Sequence, residues 1–197
     1  MKCFFPITSK NGDLVPCGKC GACISNRVND WKFRLRVQQE VSPSFFVTLT
    51  YDDEHLPPYG VDKEEVQRFF KRLRHVLPPF KYYLISEYGP HTFRPHYHFI
   101  IYLDSDWDMV HDTICSTWNN GNIKVAELND QRITYVSNYH VTKGFNPLEK
   151  NENFVLQSKG LGANYLKSHR VKHFLENDLN TTTYLGYRIS LPRIIKS

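Results

Sequence analysis

With 197 residues, 41% of them hydrophobic, the chain can bury one proper core but not two independent ones. Its formal net charge of +5 suits a phosphate-rich partner and an ordinary soluble protein equally. No apolar run approaches the roughly 20 residues of a membrane span and the amino terminus lacks a secretory pattern, so a cytosolic protein with no membrane partner is expected.

The chain opens with Cys3, Cys17, Cys20 and Cys23, the last three in a C-x2-C-x2-C run with Gly18 and Gly21 supplying turns. Five cysteines, odd in number and crowded towards one end, do not make a disulfide framework and read as reduced thiols or ligands. Four thiols suit tetrahedral zinc, although the spacing is unusual for a zinc ribbon. A cysteine-rich turn in a reducing compartment is the alternative, and an iron–sulfur cluster a weaker third. From Ala22 to Val41 the absence of Pro and Gly and the placing of Val28, Trp31, Leu35 and Gln38 or Gln39 predict a helix that Pro43 ends. Its edge is basic, with Arg27, Lys32, Arg34 and Arg36 among aromatics, a mixture that serves phosphate neutralisation and base stacking or simply a solvated face. Phe45 to Tyr51 alternates as a strand, with Phe45, Val47, Leu49 and Tyr51 on one side and Phe46, Thr48 and Thr50 on the other.

Asp52 to Gly60 is a loop, after which Asp62 and Glu65 have the spacing of a capping box. The helix that follows to Val76 buries Val66, Phe69, Phe70, Leu73 and Leu77 and leaves Lys71, Arg72 and Arg74 wet, until Pro78-Pro79 stops it. Lys81 to Tyr88 is a strand, joined by a loop with Gly89 and Pro90 to the strand Arg94 to Leu103, so the two pair antiparallel. On that second strand His96 and His98 share a face, with Ile100 and Tyr102 continuing it, while Tyr97, Phe99, Ile101 and Leu103 turn to the core. Two imidazoles on one face point to a metal; two histidines satisfied by neighbouring backbone are the alternative. Glu87 is in reach to add the carboxylate oxygen that a hard divalent ion wants, though the alternation of its strand leaves its face open.

A helix from Asp106 to Trp118 is expected to turn Trp107, Val110, Ile114 and Trp118 inward, and Asn120-Gly121 leads into a strand from Asn122 to Leu128. Asp130 is expected to cap the next helix, on which Tyr135 and Tyr139, four residues apart, share a face flanking the inward Ile133, Val136 and His140. Taken alone the tyrosines read as core-edge aromatics. Gly144 to Gly162 reads as irregular, Gly160-Leu161-Gly162 as a flexible join before a short helix through Tyr165 and Phe174, and Tyr184 to Ser197 as a strand and basic tail.

The order of elements gives an α+β fold, an antiparallel sheet with helices packed on one face and His96, His98 and Glu87 on the open one, preceded by a cysteine knuckle and helix. His-hydrophobic-His on a central strand, a carboxylate on its neighbour and Tyr-x3-Tyr on a later helix resemble the HUH endonucleases that start rolling-circle replication. The resemblance is closer still to replication initiators of small single-stranded DNA phages, the microviruses and their gokushovirus-like relatives. It extends over Pro16 to Cys23 with Arg27 and Trp31, Phe46 to Asp53, Glu87-Tyr88-Gly89, Arg94 to His98, Tyr135 to Lys143, Gly160-Leu161-Gly162 and Leu191-Pro192-Arg193. The lysine that the family places three residues after the second tyrosine stands here at Lys143, four after it.

The resemblance implies one HUH endonuclease-like domain over 1–197, with 1–41 an N-terminal appendage and 144–197 a basic extension. It implies nicking and rejoining of single-stranded DNA at a phage origin in the host cytoplasm, alongside host replication machinery. His96, His98 and Glu87 would hold Mg²⁺ or Mn²⁺, Tyr135 and Tyr139 would be the nucleophiles, and Lys143 would contact the cleaved strand. Arg27, Lys32, Arg34 and Arg94 are the cations expected against the DNA backbone, and Cys3, Cys17, Cys20 and Cys23 the ligands of a structural Zn²⁺. The residue types suit this chemistry in their own right: a metal draws charge from a phosphate oxygen, and a phosphotyrosine conserves bond energy that water would discard. Two other readings stand beside it: a zinc-stabilised, non-enzymatic single-stranded nucleic-acid-binding protein, and phosphate cleavage by metal-bound water without either tyrosine.

Overall fold

A computed structural model describes residues 2–142, 146–164, 176–177, 181–184 and 187–190. The chain divides into two compact units, Gln39–Leu161 and a second made of Met1–Gln38 with Gly162–Ser197. The first is built on a five-stranded antiparallel sheet in which β3 (Ser44–Thr50), β4 (Lys81–Tyr88), β5 (Pro95–Tyr102), β6 (Ile123–Glu127) and β7 (Val155–Gln157) stand in the order β6-β3-β5-β4-β7. The histidine strand β5 is thus central, and its register is fixed on both sides: Thr50 and Glu87 flank His96, and Thr48 and Ile85 flank His98.

Alternation decides which face is core. Phe45, Val47, Leu49 and Tyr51 of β3 and its extension join Tyr97, Phe99, Ile101 and Leu103, as their sequence parity predicts, and α2 (Lys63–Val76) and α3 (Trp107–Thr117) cover them. Helix α2 starts where expected, the Asp62 carboxylate accepting the Glu65 N–H at 2.9 Å, and it lays Val66, Phe69, Phe70 and Leu73 on the sheet. Each of these buried side chains contributes roughly 1.5–3 kcal/mol relative to exposure. The polar groups caught in this layer are paired: Tyr97 Oη accepts the Asp62 N–H at 2.8 Å and lies 3.1 Å from Tyr51 Oη, and Trp118 Nε1 donates to the Thr50 carbonyl at 3.0 Å. Gly121 is required where the chain enters β6, because its φ is +151° and a Cβ there would stand 2.5 Å from the Thr50 carbonyl oxygen.

Four expectations change. Residues 144–162 are not wholly irregular: Ser86 accepts the Phe154 N–H at 2.7 Å through its hydroxyl and donates its own N–H to the Phe154 carbonyl at 3.0 Å, which docks β7 as an edge strand on β4. Helix α4 (Asp130–Thr142) is capped by Asn129, not Asp130, since Asn129 Oδ1 accepts the Arg132 N–H at 2.9 Å. Trp107 is 38% exposed, its ring set against Phe45 at the sheet margin. Finally, α4 does not join α2 and α3: its Arg132 lies over Phe46 and its Tyr135 over His98, so it flanks the histidine face.

The second unit contains a hairpin of β1 (Ile7–Thr8) and β2 (Leu14–Val15), helix α1 (Gly21–Gln39), and a second hairpin of β8 (Thr181–Tyr184) and β9 (Tyr187–Ser190). Neither hairpin was expected in that form; β1 and β2 are two residues each, too short to show alternation. In α1 the buried residues include Val28, Phe33, Leu35, Val37 and Gln38, with Trp31 only half-buried. From Phe33 onward the helix is therefore buried on more than one side, which blurs a single stripe. Gly162, at φ +76°, packs against Arg34 of α1 so closely that a Cβ would fall 2.9 Å from the Arg34 carbonyl oxygen. The expected helix through Tyr165 and Phe174 and the tail after Ser190 lie outside the described residues. Among the described residues no helix is long and apolar enough to cross a membrane.

Candidate active site

Register settles what alternation left open. Glu87 is the direct cross-strand partner of His96, and partners in a sheet share a face, so the carboxylate stands beside both imidazoles. Glu87 Oε2 lies 3.6 Å from Nε2 of His96 and 3.6 Å from Nε2 of His98. The other ring nitrogens are tied down behind them: His98 Nδ1 is 2.9 Å from Thr48 Oγ1, and His96 Nδ1 is 3.3 Å from the Arg94 carbonyl. An imidazole whose Nδ1–H is held by an oxygen presents its Nε2 lone pair outward, the tautomer a metal ligand needs. Phe46 stacks on His98 at 5.6 Å and 21°, fixing the ring further.

Electrostatics favour the same state. Burial, reinforced by the neighbouring His96, pushes His98 down to about 4 against the opposing pull of Glu87, so its imidazole is neutral at pH 7. For Glu87, burial acts upward, but hydrogen bonds with His96 and Tyr135 and the nearby imidazoles outweigh it and hold the carboxyl below its usual range. The donor set of two neutral imidazoles and a carboxylate fits a divalent ion, with all three ligand atoms within 4.8 Å of one another. Ligands about 2.1 Å from a Mg²⁺ or Mn²⁺-sized ion sit about 3 Å apart at right angles, so the observed spacing closes with small side-chain rotations.

Tyr135 reaches this cluster. Its hydroxyl donates to Glu87 Oε2, and its ring stands edge-on to His98 at 5.2 Å. It remains 45% exposed, open to a substrate from outside, whereas Tyr139 is only 7% exposed. Burial first, then Glu87, raises the Tyr135 phenol above the ordinary tyrosine value; burial, with Glu87 adding, pushes Tyr139 up to about 12. The two tyrosines are thus inequivalent, a difference that their helical spacing does not show. Lys143 and the side chain of His140 lie outside the described residues.

Among the expected DNA-contacting cations, Arg94 is the one next to the cluster. It donates to Asp53 at 2.5 Å and to the Tyr51 carbonyl at 2.9 Å, which fixes the loop that enters β5. In the other unit, Arg27 donates to the Gly18 carbonyl at 3.2 Å, Arg34 lies 4.4 Å from the centre of the Trp31 ring, and burial together with Arg36 lowers the Lys32 pKa. Sequence reading missed Thr48 as a partner of the histidines. Its position opposite His98 follows only from a register between strands 50 residues apart.

The four expected cysteines also converge. Cys3 Sγ is 3.5 Å from Cys17 Sγ and 3.8 Å from Cys20 Sγ, and Cys17 Sγ is 4.0 Å from Cys23 Sγ. A tetrahedron with Zn–S of about 2.3 Å requires S···S of about 3.8 Å, so the spacing is that of a zinc shell. Backbone N–H groups turn towards the sulfurs: Cys17 N–H donates to Cys3 at 3.3 Å and Cys20 N–H to Cys17 at 3.4 Å. N–H groups of Phe4 and Cys23 pull Cys20 down to about 6, those of Lys19 and Cys20 lower Cys17, and burial pushes Cys23 up to about 12. The knuckle turns through Gly18 at φ +75° and delivers Cys20 to the start of α1.

Comparison with known proteins bears on both clusters. The profile of the family described as replication-associated protein ORF2 matches residues 44–145, a span from β3 through α4. The replication-associated protein ORF2 of Spiroplasma virus 4 is 27% identical over 211 residues, covering 92% of this chain and 66% of its own length. The replication-associated protein VP4 of Bdellovibrio phage phiMH2K is 29% identical over 151 residues, covering 65% of this chain and 48% of its own length. The replication-associated protein ORF4 of Chlamydia phage 1 is 26% identical over 213 residues, covering 92% of this chain and 52% of its own length. The chain therefore spans about half to two thirds of the length of these relatives. No solved structure matches.

Proposed function

The chain belongs to the ORF2 family of replication-associated proteins, and we propose that it initiates rolling-circle replication of a small single-stranded DNA phage by nicking and rejoining the origin strand through a 5′-phosphotyrosine. The observation that carries this reading is the Tyr135 hydroxyl on Glu87, beside His96 and His98. A phenol has no place at a purely structural histidine pair, and a water-activating site has no need of it.

The chain's own groups supply most of the step. Tyr135 Oη attacks the phosphorus, forming a Tyr–O–P bond while the P–O3′ bond breaks. The phenol proton passes to the Glu87 carboxylate that it already faces, and the departing 3′-oxygen takes a proton from water, leaving a hydroxyl that primes synthesis. Mg²⁺ or Mn²⁺ held by His96, His98 and Glu87 supplies charge neutralisation at the non-bridging phosphate oxygens. Tyr135 acts first, being exposed and in contact with the cluster, and Tyr139 takes the second cleavage after a side-chain rotation, so that one end stays bound while the other is cut. Lys143 contacts the cleaved strand. Zn²⁺ on Cys3, Cys17, Cys20 and Cys23 orders the amino terminus, and Arg27, Lys32, Arg34 and Arg94 bind the DNA backbone. In this reading 1–197 works as one HUH endonuclease-like domain, with 1–41 and 144–197 as appendages, in the host cytoplasm with the host replication machinery.

The test is a covalent adduct. Incubation with origin single strand and Mn²⁺, then denaturing electrophoresis and mass spectrometry, should find phosphotyrosine on Tyr135 or Tyr139. Binding without adduct would instead favour a non-enzymatic, zinc-stabilised binding protein, and nicking without adduct would favour hydrolysis by water.

A further inference from the structure

A row of residues crosses the sheet at one level: Glu87 on β4, His96 on β5 and Thr50 on β3, with Asn122 bonded to Thr50 at the outer edge. Tyr135 stands at the Glu87 end of this row. At the other end is a cavity of about 480 Å³ whose walls include Thr50, Asp52, Arg94, His96 and Asn122. That volume is in the range of small-ligand sites and accommodates one nucleotide rather than a run of them.

The walls suit a base and sugar better than a second phosphate. Asp53 is engaged by Arg94, and Asp52 accepts both the N–H and the ring Nδ1 of His55 at 2.8 Å. Two carboxylates against one guanidinium leave no surplus positive charge for a phosphate. Asn122 is exposed at its side chain, while its carbonyl accepts the Thr50 N–H at 2.9 Å and the Thr50 hydroxyl at 3.1 Å, so its backbone is pinned and its amide is free to face a ligand. An amide offers one donor and one acceptor side by side, the complement of a base edge.

Direction comes from the chemistry, and here the inference rests on the nicking reading above. In an in-line displacement the leaving oxygen departs opposite the nucleophile. With Tyr135 at the Glu87 end, the P–O3′ bond points along the row towards Thr50 and Asn122. We propose that the cavity beside His96 seats the deoxynucleotide that carries the leaving 3′-oxygen, the one immediately 5′ of the nick, and that Asn122 reads its base. The nucleotide on the 3′ side of the nick then leaves along α4, where it stays joined to the tyrosine.

Two measurements test this. In the first, short oligonucleotides carrying photoreactive thiothymidine either at the 3′-hydroxyl end or at the 5′ end are cross-linked to the whole wild-type chain with Mn²⁺ and mapped by mass spectrometry. The 3′-end probe should attach to the segments holding Thr50–Asp53, Arg94–His96 or Asn122, and the 5′-end probe should not. A 3′-end probe that attaches only to α4, or a 5′-end probe that enters the cavity segments, overturns the assignment. This arm needs no cleavage, so a wild-type chain that forms no adduct would strike the nicking reading while the cross-link still decides the cavity. In the second, adducts formed on a randomised single-strand library are sequenced for wild type and Asn122→Ala. The base preference immediately 5′ of the nick should fall about tenfold or more in the variant, as expected for loss of a paired base contact, while that on the 3′ side persists. An unchanged 5′ preference, or loss on the 3′ side alone, rejects Asn122 as the reader.

Discussion

The molecule carries two ligand clusters of opposite construction. His96, His98 and Glu87 stand on adjacent central strands, their backbones fixed by hydrogen bonds on both sides. Cys3, Cys17, Cys20 and Cys23 come from a loop, a knuckle and the first turn of a helix, and their convergence depends on N–H···S contacts. The first set has hard or borderline donors, three in number, with a half-exposed tyrosine at its margin; the second has four soft thiols and encloses its centre. A site with an open position is suited to substrate, and a closed tetrahedron is suited to holding chain segments together. Rigid strands supply geometry before the metal arrives, whereas the cysteine segments gain their order from the metal.

The largest effects should separate the two by function. His96→Ala with His98→Ala is expected to lower nicking by roughly a thousandfold or more, because metal neutralisation of the phosphate is worth several kcal/mol. Binding to single-stranded DNA should persist and the fold should remain, since the core lies on the opposite face of the sheet; circular dichroism and a filter-binding assay with nicking as the third readout check all of this. Replacing the four cysteines by serine should do the reverse. About one zinc per chain, found by metal analysis of protein purified without chelator, should disappear, and the thermal transition should fall or broaden. A variant that keeps wild-type thermal stability without zinc would erase the contrast between the clusters.

The reason one cluster was easier to read than the other is physical. His96 and His98 are two residues apart on one strand, so alternation alone puts them on one face; the four cysteines are distinctive by residue type and count. Glu87 needed its strand's register, and alternation could not supply it because Tyr82 and Tyr83, and Leu84 and Ile85, are apolar on both faces. Most of α2, β3, β4 and β5 was legible from caps, prolines and alternation. The edge strand β7 was not, because it rests on Ser86 and Ser158 side-chain contacts that lie 68 and 76 residues away in the chain. The placing of α4 on the histidine face was equally hidden: a stripe of Ile133 and Val136 says that a helix has a buried side, not which face of the sheet it covers.

A smaller difference divides the two tyrosines. Tyr135→Phe should reduce the first adduct about a hundredfold, while Tyr139→Phe should reduce it no more than about tenfold and should instead block completion of strand transfer. Adduct yield on a nicking oligonucleotide and joining to a second labelled strand measure the two steps separately. Equal losses in the two variants would remove the order of action argued from their unequal exposure.

The smallest effect concerns what holds a ligand in place. Thr48 Oγ1, 2.9 Å from His98 Nδ1, is the side-chain oxygen that fixes the tautomer presenting Nε2 to Glu87. Removing such a partner costs metalloproteins roughly 10–100-fold in metal affinity. Thr48→Val keeps the β-branched shape and the strand propensity but has no oxygen, so Mn²⁺ affinity measured by calorimetry should weaken by about tenfold at unchanged thermal stability. Thr48→Ser restores the hydroxyl and should restore affinity. A merely structural threonine predicts the opposite pattern: valine, which fills the same space, would be harmless, and serine, which leaves a methyl-sized gap against Phe46 and His98, would be the worse of the two.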